Sequence, residues 1–197
     1  MDGKNKEQDS PKCAALMDAG RKLFWKYGFR RVSVEEICRE ADVSKMTFYR
    51  CFENKTDLAQ RIYLKVIRDS VIRFNKIMEE DTPPAEKFRQ MLTIKMEGTS
   101  EISREFMTDF YTSPDAGMKN FVEEITRQTW TDLVSSFRKA QEKGFFRKDF
   151  KPEFLLYISQ HLAPLMNDDT LLALYGTPQN IIMEFANFFT YGIAPHD

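Results

Sequence analysis

Between Ser44 and Lys55 the chain places hydroxyls and cations at a spacing suited to a polyanion. Ser44, Lys45, Thr47, Tyr49 and Arg50 share one short stretch, with Phe48 and Phe52 supplying the inward apolar side chains. Hydroxyls and cations of this kind bond phosphate oxygens and base edges. Lys55 follows at the start of the next helix, where unpaired backbone N–H groups and the helix dipole already favour a phosphate. Short polar helices also occur in helical proteins that never meet DNA, so spacing alone leaves both readings open.

Other chemistry finds little support. His161 and His196 are far apart, and no Cys or carboxylate cluster at ligand spacing accompanies them, so no zinc site and no bound metal is expected. His161 lies on an apolar helix and reads as a core or interface residue. No Gly-rich phosphate loop or nucleophile elbow occurs, and neither an enzyme nor a cofactor is expected. The three cysteines, Cys13, Cys38 and Cys51, are an odd number and do not suggest a secreted disulfide framework. Cys38 reads as core, while Cys51 has Arg50 beside it to lower its thiol pKa.

The elements that must position these groups are helical throughout. From Leu16, apolar or small residues fall at Ala19, Gly20, Leu23, Phe24 and Tyr27, one face of a helix that Gly28 stops. Ser33 with Glu36 makes a capping box for a second helix carrying Val34, Ile37, Cys38 and Ala41. Asp42 and Val43 form a brief turn, Ser44 caps a third short helix, and Asn54 opens a fourth that runs to about Met78. Two short helices around a tight turn have the form of a helix-turn-helix, whose second helix enters the major groove. Thr82-Pro83-Pro84 breaks the chain, and further helices are predicted near 84–97, 100–112, 116–143, 152–166 and 179–192. The fold class is all-α.

The chain has 197 residues, 42% apolar and 30% charged, with a net charge of −1. That balance hides an asymmetry. Residues 1–76 carry 17 Lys/Arg against 11 Asp/Glu, whereas residues 77–197 carry 12 against 19. A basic N-terminal part paired with an acidic remainder suits a polyanionic partner for the former. No apolar run approaches the roughly 18 residues of a membrane span. The opening MDGKNKEQDSPK is too polar for a signal peptide, so a cytoplasmic location with no membrane partner is expected.

The stretch YGFRRVSVEEICREADVSKMTFYRCFENKTDL, residues 27–58, resembles the DNA-binding signature of the tetracycline-repressor (TetR) family of bacterial regulators. The matching positions are Gly28, Ser33, Ile37-Cys38, Ala41-Asp42-Val43-Ser44, Tyr49 to Phe52, and Lys55 to Leu58. Asp42 replaces the usual turn glycine, Met46 stands where glycine is common, and Cys51 stands where the family often has His or Tyr. Asp tolerates left-handed geometry better than most residues, so the turn should survive. The resemblance implies phosphate contacts from Ser33, Tyr49 and Lys55. Lys45, Met46, Thr47 and Arg50 would then face base edges, with Ser44 at the helix entrance.

The same resemblance implies a flexible tail over 1–10, a helix-turn-helix domain over 11–54, and a linker helix with a ligand-binding and dimerising domain over 55–197. The part after residue 76 holds 12 of the 17 Phe and 7 of the 10 Met, core fillers that also suit adaptable pockets. Met91, Met96, Phe106, Phe110, Phe121 and Trp130 are the candidate lining for an apolar or aromatic effector. Phe154, Ile158, Leu162, Ile182, Phe185 and Phe189 are the candidate dimer interface. The expected function is a homodimeric repressor, released from a palindromic double-stranded operator by a small molecule. The competing expectation is a helical small-molecule-binding or redox-sensing protein in which DNA binding is lost or secondary.

Overall fold

The computed structural model describes residues 10–112 and 116–195. The expected N-terminal tail, the Ser113-Pro114 separator and His196 therefore lie outside the described residues, apart from Ser10. Helix α1, Pro11–Tyr27, starts on a Ser10 cap with proline in its first turn and ends at Gly28, where φ is +80°. Helix α2, Val34–Glu40, opens on the predicted capping box. Helix α3, Lys45–Cys51, is capped by Ser44, and α4, Lys55–Glu79, by Asn54.

The remaining helices are α5 (Pro84–Gly98), α6 (Arg104–Met107), α7 (Ala116–Glu142), α8 (Pro152–Leu162), α9 (Asp169–Tyr175) and α10 (Pro178–Gly192). No strand occurs among the described residues. Two expected helices differ in detail. The one predicted over 100–112 begins at Arg104, because Glu101 takes φ +61° and Ser103 caps the next turn, and it then loosens into a π-helical turn over Thr108–Thr112. The one predicted over 152–166 tightens into a 3-10 turn over Ala163–Asn167. Helix α9 was not anticipated; Asp168 caps it at one end and Gly176 stops it at the other.

One apolar core runs through both parts of the chain. Leu16, Phe24, Ile37, Phe48, Leu58 and Ile62 from α1 to α4 join Phe106, Phe110, Val122 and Ile181 from later helices in a single cluster. A second cluster at the far end gathers Ile77, Met78, Phe88, Phe137, Phe146 and Ile193. Lys87 is fully buried beside it. Its ammonium donates to the carbonyls of Ile77 and Glu80, each at 2.5 Å, and sits 4.3 Å from the Phe145 ring centroid. These bonds satisfy carbonyls that the end of α4 leaves unpaired, which is why a lysine is tolerated there.

Candidate nucleic-acid interface

The turn between α2 and α3 is closed by local geometry. Asp42 takes φ +52°, and the Val43 N–H donates to the Cys38 carbonyl at 2.9 Å. Behind the turn, α3 buries Thr47, Phe48 and Cys51, and Phe48 packs 5.7 Å from Phe52, centroid to centroid. Cys51 is bonded through a disulfide to Cys13 of α1, with Cα atoms 5.6 Å apart. Two of the three cysteines are thus paired across the head, which the odd count did not suggest.

The outer face of α3 carries Ser44, Lys45, Met46, Tyr49 and Arg50, with Met46 73% and Tyr49 59% exposed. Lys45 is ion-paired with Glu35 of α2. The hydrogen bond between them holds the lysine pKa above its ordinary value and the carboxyl pKa below its own.

Thr47 departs from the expected placement at base edges. It is only 6% exposed. Its hydroxyl lies 3.1 Å from the Ser44 hydroxyl and accepts from the Arg50 guanidinium at 3.2 Å. The side chain therefore braces the helix start and steers Arg50. Helical spacing could not settle this, because a step of about 100° per residue puts Thr47 at the boundary between the two faces.

Two of the three expected phosphate contacts are spent internally. The Ser33 N–H and hydroxyl both donate to the Glu36 carboxylate, each at 2.8 Å. The Lys55 ammonium donates to the carbonyls of Phe29 and Val32, both at 2.8 Å, reaches Arg30 O at 3.4 Å, and lies 4.4 Å from the Phe29 ring centroid. Burial pulls its pKa down, with Asp109 and Glu36 working in the opposite direction. Lys55 thus clamps the loop between α1 and α2, a correction to its expected place on a phosphate. Tyr49 is the exposed member of that set.

The same loop is gripped from the other side. Asp109, in the π-helical turn, accepts from the Arg30 N–H at 2.9 Å and pairs with the Arg30 side chain at 3.6 Å. At Gly28 a Cβ would stand 2.7 Å from Asp109 Oδ2 and 2.9 Å from Glu105 Cβ, so the two parts of the chain meet where only glycine fits. The Ser103 N–H donates to the Trp25 carbonyl at 2.9 Å, and the Trp25 ring packs 4.4 Å from Phe106.

The six candidate effector residues do not come together. Phe106 and Phe110 stack at 4.3 Å in the main core, and Phe121 joins them through Tyr63. Met91 packs in the far cluster, and Met96 is 54% exposed. Trp130 is half-buried and belongs to neither cluster. Sequence reasoning missed Tyr63 and Tyr111, whose hydroxyls lie 3.4 Å apart among those rings, and whose pKa values burial raises. The available signal was Tyr63 directly after Ile62 on the inner stripe of α4. A cleft of about 520 Å³ lies elsewhere, between α1, α4 and α5, with Met17, Arg21, Ile62, Lys65 and Ile94 in its walls.

The expected dimer residues divide similarly. Phe154 is exposed, and Ile158 and Phe189 are half-buried. Leu162, Ile182 and Phe185 are turned far enough inward to pack on the main core. The wider apolar surface belongs instead to Phe154, Tyr157, Leu165, Phe188 and Tyr191.

Residues 16–62 match the family model of bacterial regulatory proteins, tetR family. The chain is 21% identical over 139 residues to an uncharacterized HTH-type transcriptional regulator, YhgD, of Bacillus subtilis (strain 168), covering 70% of this chain and 71% of that protein. It is 37% identical over 65 residues to the transposon Tn10 TetC protein of Escherichia coli, covering 32% and 33% of the two chains. The fold resembles that of the fatty acid degradation regulator FadR from Bacillus halodurans, with a TM-score of 0.68 at 15% identity over 96% of this chain and 99% of that one. With a helix-turn-helix of this geometry and a head matching that model, the chain belongs to the tetR family of bacterial regulatory proteins and is a DNA-binding transcriptional regulator.

Proposed function

We propose that the protein is a homodimeric cytoplasmic repressor without catalytic activity, which binds a palindromic operator through two α3 helices and leaves it when a small molecule enters the helical part. The observation that carries this reading is the outer face of α3, where Met46 and Tyr49 stand exposed between Lys45 and Arg50. In this reading Lys45, Met46 and Arg50 read base edges, Met46 against a thymine methyl, and Ser44 holds the helix entrance. Tyr49 lies along the phosphates, and Ser33, Thr47 and Lys55 hold the reading surface in shape.

Dimerisation uses the outer faces of α8 and α10, where Phe154, Tyr157, Phe188 and Tyr191 stand exposed. The effector is apolar or aromatic and occupies the ring cluster of Phe106, Phe110 and Phe121, with the Tyr63 and Tyr111 hydroxyls as its polar contacts. Displacing these rings moves the π-helical turn, and Asp109 carries the movement to Arg30 and the α1–α2 loop. Such an effector shifts the dimer between two head spacings in proportion to its preference for one of them.

The test is selection of bound sequences from a random duplex pool by the full chain, followed by sedimentation of protein with the recovered duplex. A recovered palindrome bound by two protomers is the expected result, with recognition helices about 34–36 Å apart. Recovery of no preferred sequence, or of an asymmetric site bound by one protomer, overturns it.

A further inference from the structure

We infer that Cys13 and Cys51 form a reversible redox strap that sets how firmly the recognition helix is held, and with it the affinity for DNA; the inference rests on the DNA-binding role of α3. Helix α3 has seven residues, too few to persist without outside support. Its outer face projects away from the head, so Phe48, Thr47 and Cys51 must fix it from behind. Cys51 is its last residue, and Cys13 lies in the first turn of α1, 38 positions earlier. Their Cα atoms are 5.6 Å apart, a spacing that a bridge closes without moving the backbone. The bond therefore joins the end of the reading helix to the first turn of α1.

The surroundings distinguish this pair from the third cysteine. All three cysteines are buried, so burial does not separate them; Cys38 on α2 is the one outside the bridge, and its thiol pKa is raised by that burial. Cys13 sits at the positive end of a 17-residue helix, and the Ser10 hydroxyl donates to its sulfur at 3.1 Å. Both features favour the thiolate in the unbridged form.

The oxidant is a hydroperoxide. The Cys13 thiolate attacks one peroxide oxygen, the O–O bond breaks, and the departing oxygen takes up the proton that the thiol gave up, leaving as water. Cys13 is then a sulfenic acid. The Cys51 sulfur attacks the Cys13 sulfur, the S–O bond breaks, and the hydroxide leaves as a second water with the Cys51 proton. Two thiols and one hydrogen peroxide give one disulfide and two waters, and two electrons pass from the sulfurs to the peroxide. A small dithiol reverses the step by exchange and becomes a cyclic disulfide itself.

The bridged form holds α3 in place before DNA arrives, so the ordering cost of binding falls and affinity rises. The expected gain is about tenfold. The experiment uses the full chain treated with hydrogen peroxide or with dithiothreitol, then freed of reagent. Three readouts follow: peptide mapping without reduction, the melting temperature, and affinity for a duplex selected from a random pool by the untreated chain. Wild type and Cys38→Ser should yield a linked Cys13–Cys51 peptide, melt higher after peroxide, and bind the duplex about tenfold more tightly than after dithiothreitol. Cys13→Ser and Cys51→Ser should show no difference between the two treatments.

A linkage that involves Cys38, or no linkage at all, overturns the proposal. So does a bridge that forms yet leaves affinity equal in both states. The wild-type comparison needs no substitution, so a variant that fails to fold does not spoil the test. If no duplex is selected, the DNA-binding reading fails and takes the affinity claim with it. The peptide and melting readouts then still report separately on the strap.

Discussion

Replacing Lys55 by methionine keeps most of the stem over Phe29 and removes the ammonium that three loop carbonyls share. Two of those bonds are 2.8 Å long, and a bond to a charged donor contributes about 1.5–3 kcal/mol when one partner is removed. The residue is half-buried, so water takes over part of the loss, and the ammonium no longer has to be desolvated. A net loss of about 2 kcal/mol follows. For a chain of this size that lowers the melting temperature by roughly 4–8 °C, which calorimetry or circular dichroism resolves. A lysine on a phosphate would behave otherwise: its removal would flatten the plot of log affinity against log salt by about 0.9 per protomer and leave melting unchanged. The clamp reading expects the melting loss with the salt slope intact. A flatter slope at an unchanged melting temperature would refute it and return Lys55 to the DNA backbone.

Other outcomes follow from single contacts. Glu35→Gln releases Lys45 and removes a negative charge from beside the reading helix, so affinity for any duplex should rise about three- to tenfold near 0.1 M salt in anisotropy titrations; unchanged affinity would mean that the ion pair is irrelevant on DNA. Gly28→Ala meets both a positive φ and atoms at 2.7 and 2.9 Å, so unfolding in urea should show a loss of about 2 kcal/mol or more, and a neutral result would sink the close-approach argument. Phe188→Arg, at a side chain 73% exposed, should give folded monomers in sedimentation and circular dichroism, with a melting temperature that no longer rises with protein concentration; persistence of dimers would place the interface elsewhere. Glu36 has its carboxyl pKa held below the ordinary 4.5 by the Ser33 N–H and hydroxyl. Its contribution is therefore present above that value and lost as pH falls through the lowered one, so Glu36→Gln should flatten the acid limb of stability against pH, and parallel acid limbs would count against the capping box.

Local chemistry was the readable part of this sequence. The caps at Ser33, Ser44 and Asn54, the stop at Gly28 and the left-handed turn at Asp42 are decided by a few neighbouring residues, and the structure has each of them. What could not be read depends on distant partners. Lys55 turns inward because carbonyls 23 to 26 positions earlier face its ammonium. The Cys13–Cys51 pairing spans 38 positions. Thr47 lies at the edge of two faces, and only the packing of α3 decides which one it joins. The candidate effector residues scatter because Phe and Met mark core of either kind; Met91 fills one cluster and Phe106 the other. Asp109 gave no signal, since its partner at Arg30 lies across the junction.

The apolar core that passes without interruption from α1 through α4 to the π-helical turn bears on how such a protein can be recombined. A head cut after residue 54 would lose Leu58, Ala59, Ile62 and Tyr63, and would expose Trp25 where Phe106 and Phe110 now cover it. Grafting a foreign reading head at that seam would pair two half-cores that never matched, and the chimera would aggregate or respond to no ligand. A transplant that keeps its partners must carry the first half of α4 together with residues 103–110. Reading head and sensor then melt as one cooperative unit, with a single transition in the calorimeter. In such a molecule, a substitution in the core around Phe106 and Phe110 also shifts the stability of the head.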